Sequence, residues 1–276
     1  TAFMSLEQES RVGRQQDPQL KRAFGGVYDD AELAAYVTRI GKKLAATSEM
    51  PNLDFTFTVL NSPVVNAFAL PGGYVYVTRG LVTLAENEAE LAAVIAHEIG
   101  HITARHSAER YSRGTAINLG AILLGALTNS EAVFDLAGLG SQLYLKSYSR
   151  EQEIQADSLG VRYLARAGYE TGAMASFLKK LGNASRLQAE IAGTGGDPDA
   201  INLMSTHPRT IDRVQKALVA AKDQQVANPV IGRDPFLDQV HGVLFGSDPE
   251  HGMVRDRVFL HKGLDFRFEV PPGFRI

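Results

Sequence analysis

The sequence contains no cysteine and no tryptophan in its 276 residues. The absence of cysteine excludes disulfide bonds, thiolate metal ligands and a thiol nucleophile, and it is compatible with the periplasm. The 28 basic and 31 acidic residues nearly balance, giving a formal net charge of −3. No basic block with interleaved aromatic residues occurs, so we expect no nucleic-acid partner. No internal repeat is found, and in particular no tetratricopeptide array.

Long apolar runs are also absent. The most apolar stretch, residues 115–127, contains Asn118 and is too short to cross a bilayer, so we expect no transmembrane span. We interpret residues 115–147 as two helices that form either part of the core or a lid over a cleft. Their apolar pattern favours the core.

The segment His97-Glu98-Ile99-Gly100-His101 places a glutamate and two histidines in the spacing His-Glu-x-x-His. Histidines four residues apart lie on one face of a helix, about 6 Å from each other, so both rings can bind one metal ion. Zinc takes neutral imidazole nitrogens in a roughly tetrahedral arrangement, and a catalytic site keeps one position for water. Glu98 would lie beside the metal and accept a proton from that water. The motif therefore predicts zinc-dependent hydrolysis.

The residues around this motif predict a buried helix from Asn87 to about Ser107. Asn87 and Glu90 have the spacing of an N-terminal capping box. Apolar residues then recur at helical spacing, at Leu91, Val94, Ile95, Ile99 and Ile102. Histidines and a glutamate in an apolar helix are costly unless they have partners, and a metal ion supplies one. This context favours metal binding over a chance match.

The segment directly after the motif does not supply a third ligand. A metzincin would have a histidine six residues after His101, but Ser107 stands there and His106 comes one residue too early. In the alternative arrangement of two histidines and a glutamate, the third ligand comes from a separate helix. We therefore reject the metzincin pattern.

Glu153 and Asp157 are the best candidates on such a helix, which we predict from residue 149 to about Leu164. Two carboxylates four residues apart share one helix face and repel each other unless a cation or donors lie nearby. Either Glu153 binds the metal and Asp157 accepts the second N–H of a ligand histidine, or both lie on a solvated acidic face. The upstream motif favours the first alternative.

Three motifs follow one another within residues 5–222. They are His97-Glu98-x-x-His101, Ser149-Arg150-x-x-Glu153-x-x-Ala156-Asp157-x-x-Gly160, and Ser205-Thr206-His207-Pro208 with Arg213. In these motifs the chain resembles the HtpX/BepA-like zinc metallopeptidases, a group of CAAX prenyl protease-like gluzincins, and in particular their soluble bacterial periplasmic branch. The resemblance implies one zinc ion per chain. It also implies the following roles: ligands His97, His101 and Glu153, general base Glu98, and Asp157 orienting a ligand histidine.

The resemblance further implies catalytic roles for His207 and Arg213. His207 is expected near the metal, and Arg213 is expected to face the substrate or the tetrahedral intermediate, so that either could stabilise the oxyanion. In some members the histidine equivalent to His207 occupies the open zinc position and keeps the enzyme latent. From the residues alone, a histidine before Pro208 is more typical of a helix start, and most helix arginines are solvated.

Two β-rich runs flank Pro71-Gly72, which predicts a hairpin over residues 64–78. Upstream, residues 53–60 alternate between apolar and polar, which predicts a half-exposed strand. In zinc peptidases of the type that the chain resembles, an edge strand beside the metal helix binds substrate by strand addition. By this resemblance we assign substrate binding to Asn66, Ala67, Phe68 and Ala69. The alternative is an ordinary core hairpin.

The expected fold class is α+β and mostly helical, with a zincin-like metal helix beside a small sheet and its edge hairpin. We divide the chain into a zinc metallopeptidase domain, residues 1–228, and a β-rich C-terminal extension, residues 229–276. Within the extension, residues 264–270 alternate between apolar and polar, which predicts a strand with one buried face. We expect the extension to continue in a longer chain.

The predicted function is hydrolysis of peptide bonds in protein substrates by a zinc-bound water that Glu98 activates. By the resemblance, the substrates are misfolded or stalled envelope proteins, the partners include the outer-membrane assembly machinery, and the location is the periplasm, with peripheral membrane association left open. The alternative is a latent or non-turnover protein that keeps the zinc fold as a chaperone or scaffold in outer-membrane protein assembly. A retained base at Glu98 argues against a purely structural metal site.

Overall fold

The computed structural model of the chain describes residues 4–112, 147–192, 207, 211–246, 248, 250 and 252–274. Its helices are α1 (Leu6–Ala23), α2 (Ala31–Ala45), α3 (Arg79–Val82), α4 (Glu88–Thr103), α5 (Arg150–Arg166), α6 (Ala173–Ala192), α7 (Ile211–Asp223) and α8 (Arg233–Val240). Its strands are β1 (Thr56–Leu60), β2 (Ala67–Leu70), β3 (Tyr74–Thr78), β4 (Met253–Arg255), β5 (Val258–His261) and β6 (Phe266–Glu269). The helices predicted within residues 115–147 lie outside the described residues, except for Ser147. The mostly helical α+β fold is confirmed.

The metal helix predicted from the motif is α4, and it forms the centre of the core. The side chain of Asn87 caps it by accepting a hydrogen bond from the backbone N–H of Glu90, 3.0 Å away. In a full capping box the carboxylate of Glu90 would accept from the N–H of Asn87. Here it accepts from the N–H of Glu86, so only half of the predicted capping box forms. Every residue from Ala89 to Ile102 is buried, which means that any polar side chain on α4 must find its partner inside the protein.

Helix α5 packs against α4 at very short range, and two glycines allow this. A Cβ atom on Gly100 of α4 would lie 2.9 Å from the carbonyl oxygen of Ala156. A Cβ atom on Gly160 of α5 would lie 3.2 Å from the backbone nitrogen of His97. Since real Cβ atoms seldom approach backbone this closely, the glycines bring the carboxylates of α5 within reach of the histidines of α4.

The first sheet has the strand order β1-β3-β2, and β2 is an edge strand of it. Strands β2 and β3 pair antiparallel, so the hairpin predicted over residues 64–78 is confirmed. Its turn contains Gly72 and Gly73, both with positive φ (83° and 97°), a conformation that glycine adopts without strain. Strand β1 is half-exposed at its start, as predicted for residues 53–60, with Thr56 exposed and Phe57 buried, but the alternation ends there. Thr58 pairs with Tyr76 of β3 and is only 9% exposed, on the face opposite to Phe57, which packs against α2.

Residues 230–246 pack onto the helical body. Phe236 on α8 is fully buried in the main core, beside Tyr36. The guanidinium of Arg79, also fully buried, donates through Nη1 to the carbonyl oxygens of Leu244 (2.8 Å) and Gly246 (2.7 Å). The first part of the predicted extension therefore contributes to the same core as the helices.

The β-rich part of the predicted extension is an antiparallel sheet in the order β4-β5-β6. The expectation of one buried face is wrong, because Phe266 and Phe268 are 43% and 44% exposed. Their ring centroids lie 5.6 and 5.3 Å from that of Phe259, the first pair tilted and the second stacked, so the aromatic rings pack on one another while the face stays partly exposed. Alternation therefore predicted the strand but not its burial. Among the described residues, none of the helices combines the length and apolar character needed to cross a membrane.

Candidate metal centre

Four side chains converge between α4, α5 and the segment before α7: His97, His101, Glu153 and His207. One donor atom from each lies within 4.8 Å of the others, and all four residues are buried. The Nε2 atoms of His97 and His101 are 3.0 Å apart, and His101 Nε2 lies 3.3 Å from Glu153 Oε1. His207 Nδ1 lies 2.9 Å from the same carboxylate oxygen and 3.2 Å from His97 Nε2. Two or three imidazoles with one carboxylate are ligands that zinc prefers.

Burial and neighbouring charge set the protonation of this cluster. Burial holds the pKa of His101 well below its ordinary value, which leaves the ring neutral and able to bind a metal. Burial raises the pKa of Glu153, but the charges and hydrogen bonds of His207, His101 and His97 outweigh it and hold the pKa well below the usual range. A neutral imidazole and an ionised carboxylate are the forms that bind zinc.

Asp157 and Arg213 form a buried pair behind the cluster. Asp157 Oδ1 lies 2.8 Å from His97 Nδ1, on the side of the ring opposite to the other ligands. Arg213 donates to both oxygens of Asp157, from Nε (2.7 Å) and Nη2 (2.8 Å), and its Nη1 lies 2.6 Å from Glu153 Oε2. Burial raises the pKa of Asp157, but the guanidinium outweighs this effect and lowers it overall. The structure thus places Asp157 where it can orient His97, while the guanidinium of Arg213 contacts carboxylates of the site itself.

Glu98 lies on α4 at the edge of the cluster and is fully buried. Neither of its carboxylate oxygens has a hydrogen-bond partner among the described residues, and the same holds for His207 Nε2, 3.5 Å away. A buried carboxylate without donors is costly unless a cation or a polar ligand lies nearby. These unpaired atoms beside a zinc-type donor set show that the residues fit a bound metal and a polar reactant.

An apolar pocket opens beside Glu98, between α4, α6 and α7. The polar atoms of His97, Glu98, His207 and Arg213 border it on one side. The rest of its wall is apolar and consists of Val94, Met174, Phe177, Leu178 and Leu181. The site therefore has a surface suited to an apolar group next to the unpaired carboxylate.

Strand β2, which carries the predicted substrate-binding residues, runs beside α4 and is buried along its length. The carbonyl oxygen of Asn66 accepts from the N–H of Thr78 in β3 (3.0 Å), so in this ladder the main-chain groups of Ala67 and Ala69 point to the outer edge. The Ala69 carbonyl accepts from Ser107 Oγ at 3.2 Å. Phe68 lies in a small apolar cluster with Tyr76. The structure thus brings these four residues next to the metal helix, at a strand edge.

His106 and Tyr148 also contact the cluster, and the sequence reasoning missed both. His106 Nδ1 lies 2.9 Å from His101 Nδ1, and the Tyr148 ring stacks on His101 with centroids 3.8 Å apart. In the sequence, His106 enters only the metzincin pattern, which its spacing from His101 excludes. The only hint in the sequence to the contact of His106 was its position five residues after His101. Nothing in the sequence pointed to Tyr148.

The fold and the site define a zincin-type metalloprotease centre, and comparisons of the sequence agree with this class. Residues 31–221 match the model of peptidase family M48, and the chain belongs to this family of zinc metallopeptidases. The predicted resemblance to HtpX/BepA-like enzymes is therefore confirmed.

Similar curated proteins come from bacteria and from mitochondria. The beta-barrel assembly-enhancing protease of Yersinia pestis is 31% identical over 86% of this chain and 48% of its own length. The mitochondrial metalloendopeptidase OMA1 of Arabidopsis thaliana is 36% identical over 66% of this chain and 35% of its own length. A putative beta-barrel assembly-enhancing protease of Vibrio cholerae is 33% identical over 77% of this chain and 43% of its own. The chain thus spans about half or less of the length of these relatives.

Proposed function

We propose that this chain is the catalytic part of a zinc-dependent endopeptidase that hydrolyses peptide bonds of protein substrates. One observation carries the proposal. A buried zinc-type donor set (His97, His101, Glu153) lies directly beside Glu98, whose two carboxylate oxygens have no hydrogen-bond partner among the described residues. A metal site that served only the fold would have no need of a buried, unpaired carboxylate, whereas a hydrolase needs a base at this position.

The proposed roles follow from the contacts. His97, His101 and Glu153 hold the metal, and Asp157 keeps His97 in the tautomer with its proton on Nδ1. When bound, zinc lowers the pKa of a water to about 7 and polarises the scissile carbonyl. Glu98 accepts a proton from the attacking water on a carboxylate oxygen and then delivers it to the leaving amine. No covalent bond between the substrate and the protein is required.

Of the two residues predicted at the oxyanion, we keep that role for His207 and propose a different one for Arg213. His207 Nε2 has no partner among the described residues and points towards Glu98, so it is available to donate a hydrogen bond to a substrate oxygen. Arg213 borders the same pocket, but its guanidinium is engaged by Asp157 and Glu153. We therefore propose that Arg213 acts mainly by holding these two carboxylates.

We propose that substrates bind as an added strand along β2. Ala67 and Ala69 direct main-chain groups away from β3, and α4 with the metal cluster lies beside the strand. Because β2 is buried and the Ala69 carbonyl accepts from Ser107, the segment that carries Ser107 would have to move aside when substrate binds. The apolar pocket next to Glu98 would take a substrate side chain adjacent to the scissile bond. Main-chain pairing would then give affinity for many extended segments, in keeping with misfolded proteins as the substrate class.

A second candidate is a latent enzyme, and the position of His207 favours it. Its Nδ1 atom lies within 3.2 Å of both His97 Nε2 and Glu153 Oε1, so the structure offers four donors to one metal. Four protein ligands would fill a tetrahedral site and leave no position for water. In that case turnover would require His207 to leave, and the protein would act as a binding module until it did.

The names of the bacterial relatives motivate the biological part of the proposal. We propose a periplasmic protease that acts on outer-membrane proteins during β-barrel assembly, with the assembly machinery as partner. We also propose that the metallopeptidase domain ends near residue 228 and that residues 229–276 form an extension to it. The relatives named mitochondrial metalloendopeptidase share the catalytic part, so the catalytic proposal does not depend on this location.

The first experiment measures zinc content and casein cleavage for the wild type and for Glu98→Gln, with Glu151→Gln on the exposed start of α5 as a matched control. We expect one zinc per chain in all three proteins. Cleavage should occur in the wild type and the control and fall at least about a hundredfold in Glu98→Gln. If all three proteins bind zinc and none cleaves casein, the result favours latency, and His207→Ala should then restore cleavage. No zinc in the wild type would contradict the proposal.

A further inference from the structure

The two histidines of the motif have different hydrogen-bond partners on the side of the ring that faces away from the cluster. His97 Nδ1 faces the carboxylate of Asp157, which Arg213 holds in place. His101 Nδ1 faces no carboxylate but another imidazole, His106, at 2.9 Å. His106 is only 4% exposed, so its ring nitrogens need partners inside the protein, and nothing in the proposed mechanism uses this residue.

We infer that His106 is a positioning residue for the metal centre, which fixes the tautomer and the orientation of His101 through a neutral hydrogen-bond chain that ends at Gln155. This inference rests on the proposed function only in that it takes His101 to be a zinc ligand.

The geometry shows which nitrogen of His101 is available to a metal. His101 Nε2 lies 3.0 Å from His97 Nε2 and 3.3 Å from Glu153 Oε1, so this nitrogen faces the other donors. On the opposite side, His101 Nδ1 meets His106 Nδ1, and His106 Nε2 lies 3.2 Å from Gln155 Oε1. The four residues His97, His101, His106 and Gln155 thus form a continuous line from the cluster to the exposed face of α5.

The positions of the protons along this line follow from the way in which His101 would bind zinc. A histidine that binds zinc through Nε2 must carry its proton on Nδ1. His101 Nδ1–H then donates to His106 Nδ1, which must be unprotonated, because two N–H groups cannot face each other at 2.9 Å. The proton of His106 is therefore on Nε2, from which it donates to the amide oxygen of Gln155. Each link has one donor and one acceptor, and no charge is needed.

The backbone before His106 makes a turn that places the His106 ring against His101. Helix α4 ends at Thr103, and Arg105 then adopts φ +61°, a conformation that costs a residue other than glycine about 1 kcal/mol or more. The turn directs the chain into a second helical segment, residues 106–112, and brings the His106 ring back against His101. The side chain of Arg105 is held by the buried carboxylate of Glu9 on α1, with Nε 2.8 Å from Oε1. A strained residue anchored from another helix thus sets the place of His106.

Residue types at position 106 separate this role from simple packing. His106→Leu keeps the side-chain bulk but cannot accept a hydrogen bond. His106→Asn places an amide oxygen close to the position of Nδ1 and can still accept from His101. His261→Leu, on β5 in the C-terminal sheet, is the control for replacing a histidine outside the site.

The test measures zinc affinity by competition with a chromophoric chelator, on the full chain. We expect His106→Leu to bind zinc about 10–100-fold more weakly than the wild type, which is the range for loss of a partner of a ligand histidine. His106→Asn should bind within a few-fold of the wild type, and His261→Leu should not differ from it. The rise in unfolding temperature on adding zinc should shrink in His106→Leu and not in His106→Asn.

Several outcomes would overturn the inference. Equal zinc affinity in His106→Leu and the wild type would do so, and so would an equal loss in the leucine and asparagine variants. If His106→Leu does not fold, the test uses Gln155→Leu instead, at the exposed end of the hydrogen-bond line. There a few-fold loss of zinc affinity is expected, and no loss counts against the inference. A wild type that binds no zinc would instead defeat the proposed function, so the two failures can be distinguished.

Discussion

Helix α5 carries two clusters of arginine and carboxylate groups that differ mainly in burial. Near its start, Glu153 and Asp157 meet Arg213, and the side chains of all three are at most 3% exposed. Near its end, Arg162 and Arg166 meet Glu49 at 2.9 and 3.4 Å, with side chains 41–47% exposed. The same chemical groups at similar distances thus occur in two very different surroundings.

The difference teaches that distance alone does not give the strength of an ion pair. In the exposed cluster, water solvates each group well, so each pair is worth at most about 1 kcal/mol. In the buried cluster, no water replaces a missing partner, so removing one group leaves an uncompensated charge. The buried cluster also lies against the candidate metal ligands His97 and Glu153, which makes it part of the candidate site. Burial therefore distinguishes the cluster at the candidate site from the cluster on the solvated helix face.

The largest expected effect comes from breaking the buried cluster while leaving the exposed one. Arg213→Met removes the donors of Asp157 and Glu153, and we expect the zinc-free protein to lose about 3–5 kcal/mol of its free energy of unfolding. Arg162→Met, the same exchange in the exposed cluster, should cost less than about 1 kcal/mol. Urea unfolding of both variants measures the difference. Equal losses would show that the carboxylates find other partners and that burial is not decisive.

A second comparison of buried with exposed residues concerns two phenylalanines of the predicted extension. Phe236 on α8 is fully buried in the main core, while Phe245 is 82% exposed. We expect Phe236→Ala to cost about 3–5 kcal/mol, and Phe245→Ala to change stability by less than about 0.5 kcal/mol. Thermal or urea unfolding of the full chain checks both. Small losses in both variants would favour a domain boundary at residue 228, as predicted from the sequence.

The sequence predicted those features that depend on local spacing. The metal helix, the helix of Glu153 and the hairpin over residues 64–78 are confirmed, because capping residues, helical periodicity and a Pro-Gly turn are local signals. The metal helix ends at Thr103, however, and not near Ser107 as predicted. The family and the fold class are confirmed as well. The roles of the individual site residues stay predictions, although the structure brings His97, His101, Glu153 and His207 together.

The sequence could not predict features that depend on which distant segments pack together. Thr58 in β1 is buried on the sheet face that it shares with Tyr76 of β3, and alternation within the strand does not reveal this pairing. Phe266 and Phe268 show the reverse case, in which an alternating pattern is present and the apolar side chains are nevertheless 43% and 44% exposed. His106 was missed because its contact with His101 depends on a left-handed residue at Arg105.

A third prediction tests the close approach that allows α5 to reach the metal helix. Gly100→Ala gains up to about 1 kcal/mol of helix propensity. However, the new Cβ atom would lie 2.9 Å from the carbonyl oxygen of Ala156, and overpacking of this kind costs about 1–3 kcal/mol. We expect a net loss of stability of up to about 2 kcal/mol and weaker zinc binding, because α5 and Glu153 must move away.

Gly172→Ala is the control for this prediction. There the nearest atom is a side-chain oxygen of Glu170 at 3.1 Å, which can move aside. We expect a change within about 0.5 kcal/mol and unchanged zinc affinity. A Gly100→Ala variant that is more stable than the wild type and binds zinc normally would show that the helices have room to adjust.

The smallest effect is expected in the exposed cluster and should depend on pH. Burial raises the pKa of Glu49, but the hydrogen bond from Tyr163 and the charges of Arg162 and Arg166 outweigh it, so the folded-state pKa lies below the ordinary value. A lowered pKa stabilises the fold above the unfolded-state value, about 4.3, and this contribution is lost as the pH falls through the folded-state pKa. Glu49→Gln should therefore be less stable than the wild type at pH 7 by under about 1 kcal/mol, since the pair is exposed. The difference should shrink in about 1 M salt and as the pH falls from the unfolded-state value through the lower folded-state pKa. A larger loss that does not depend on pH or salt would mean that packing against Tyr163, rather than charge, connects Glu49 to α5. The contrast between the two clusters would then lose its electrostatic explanation.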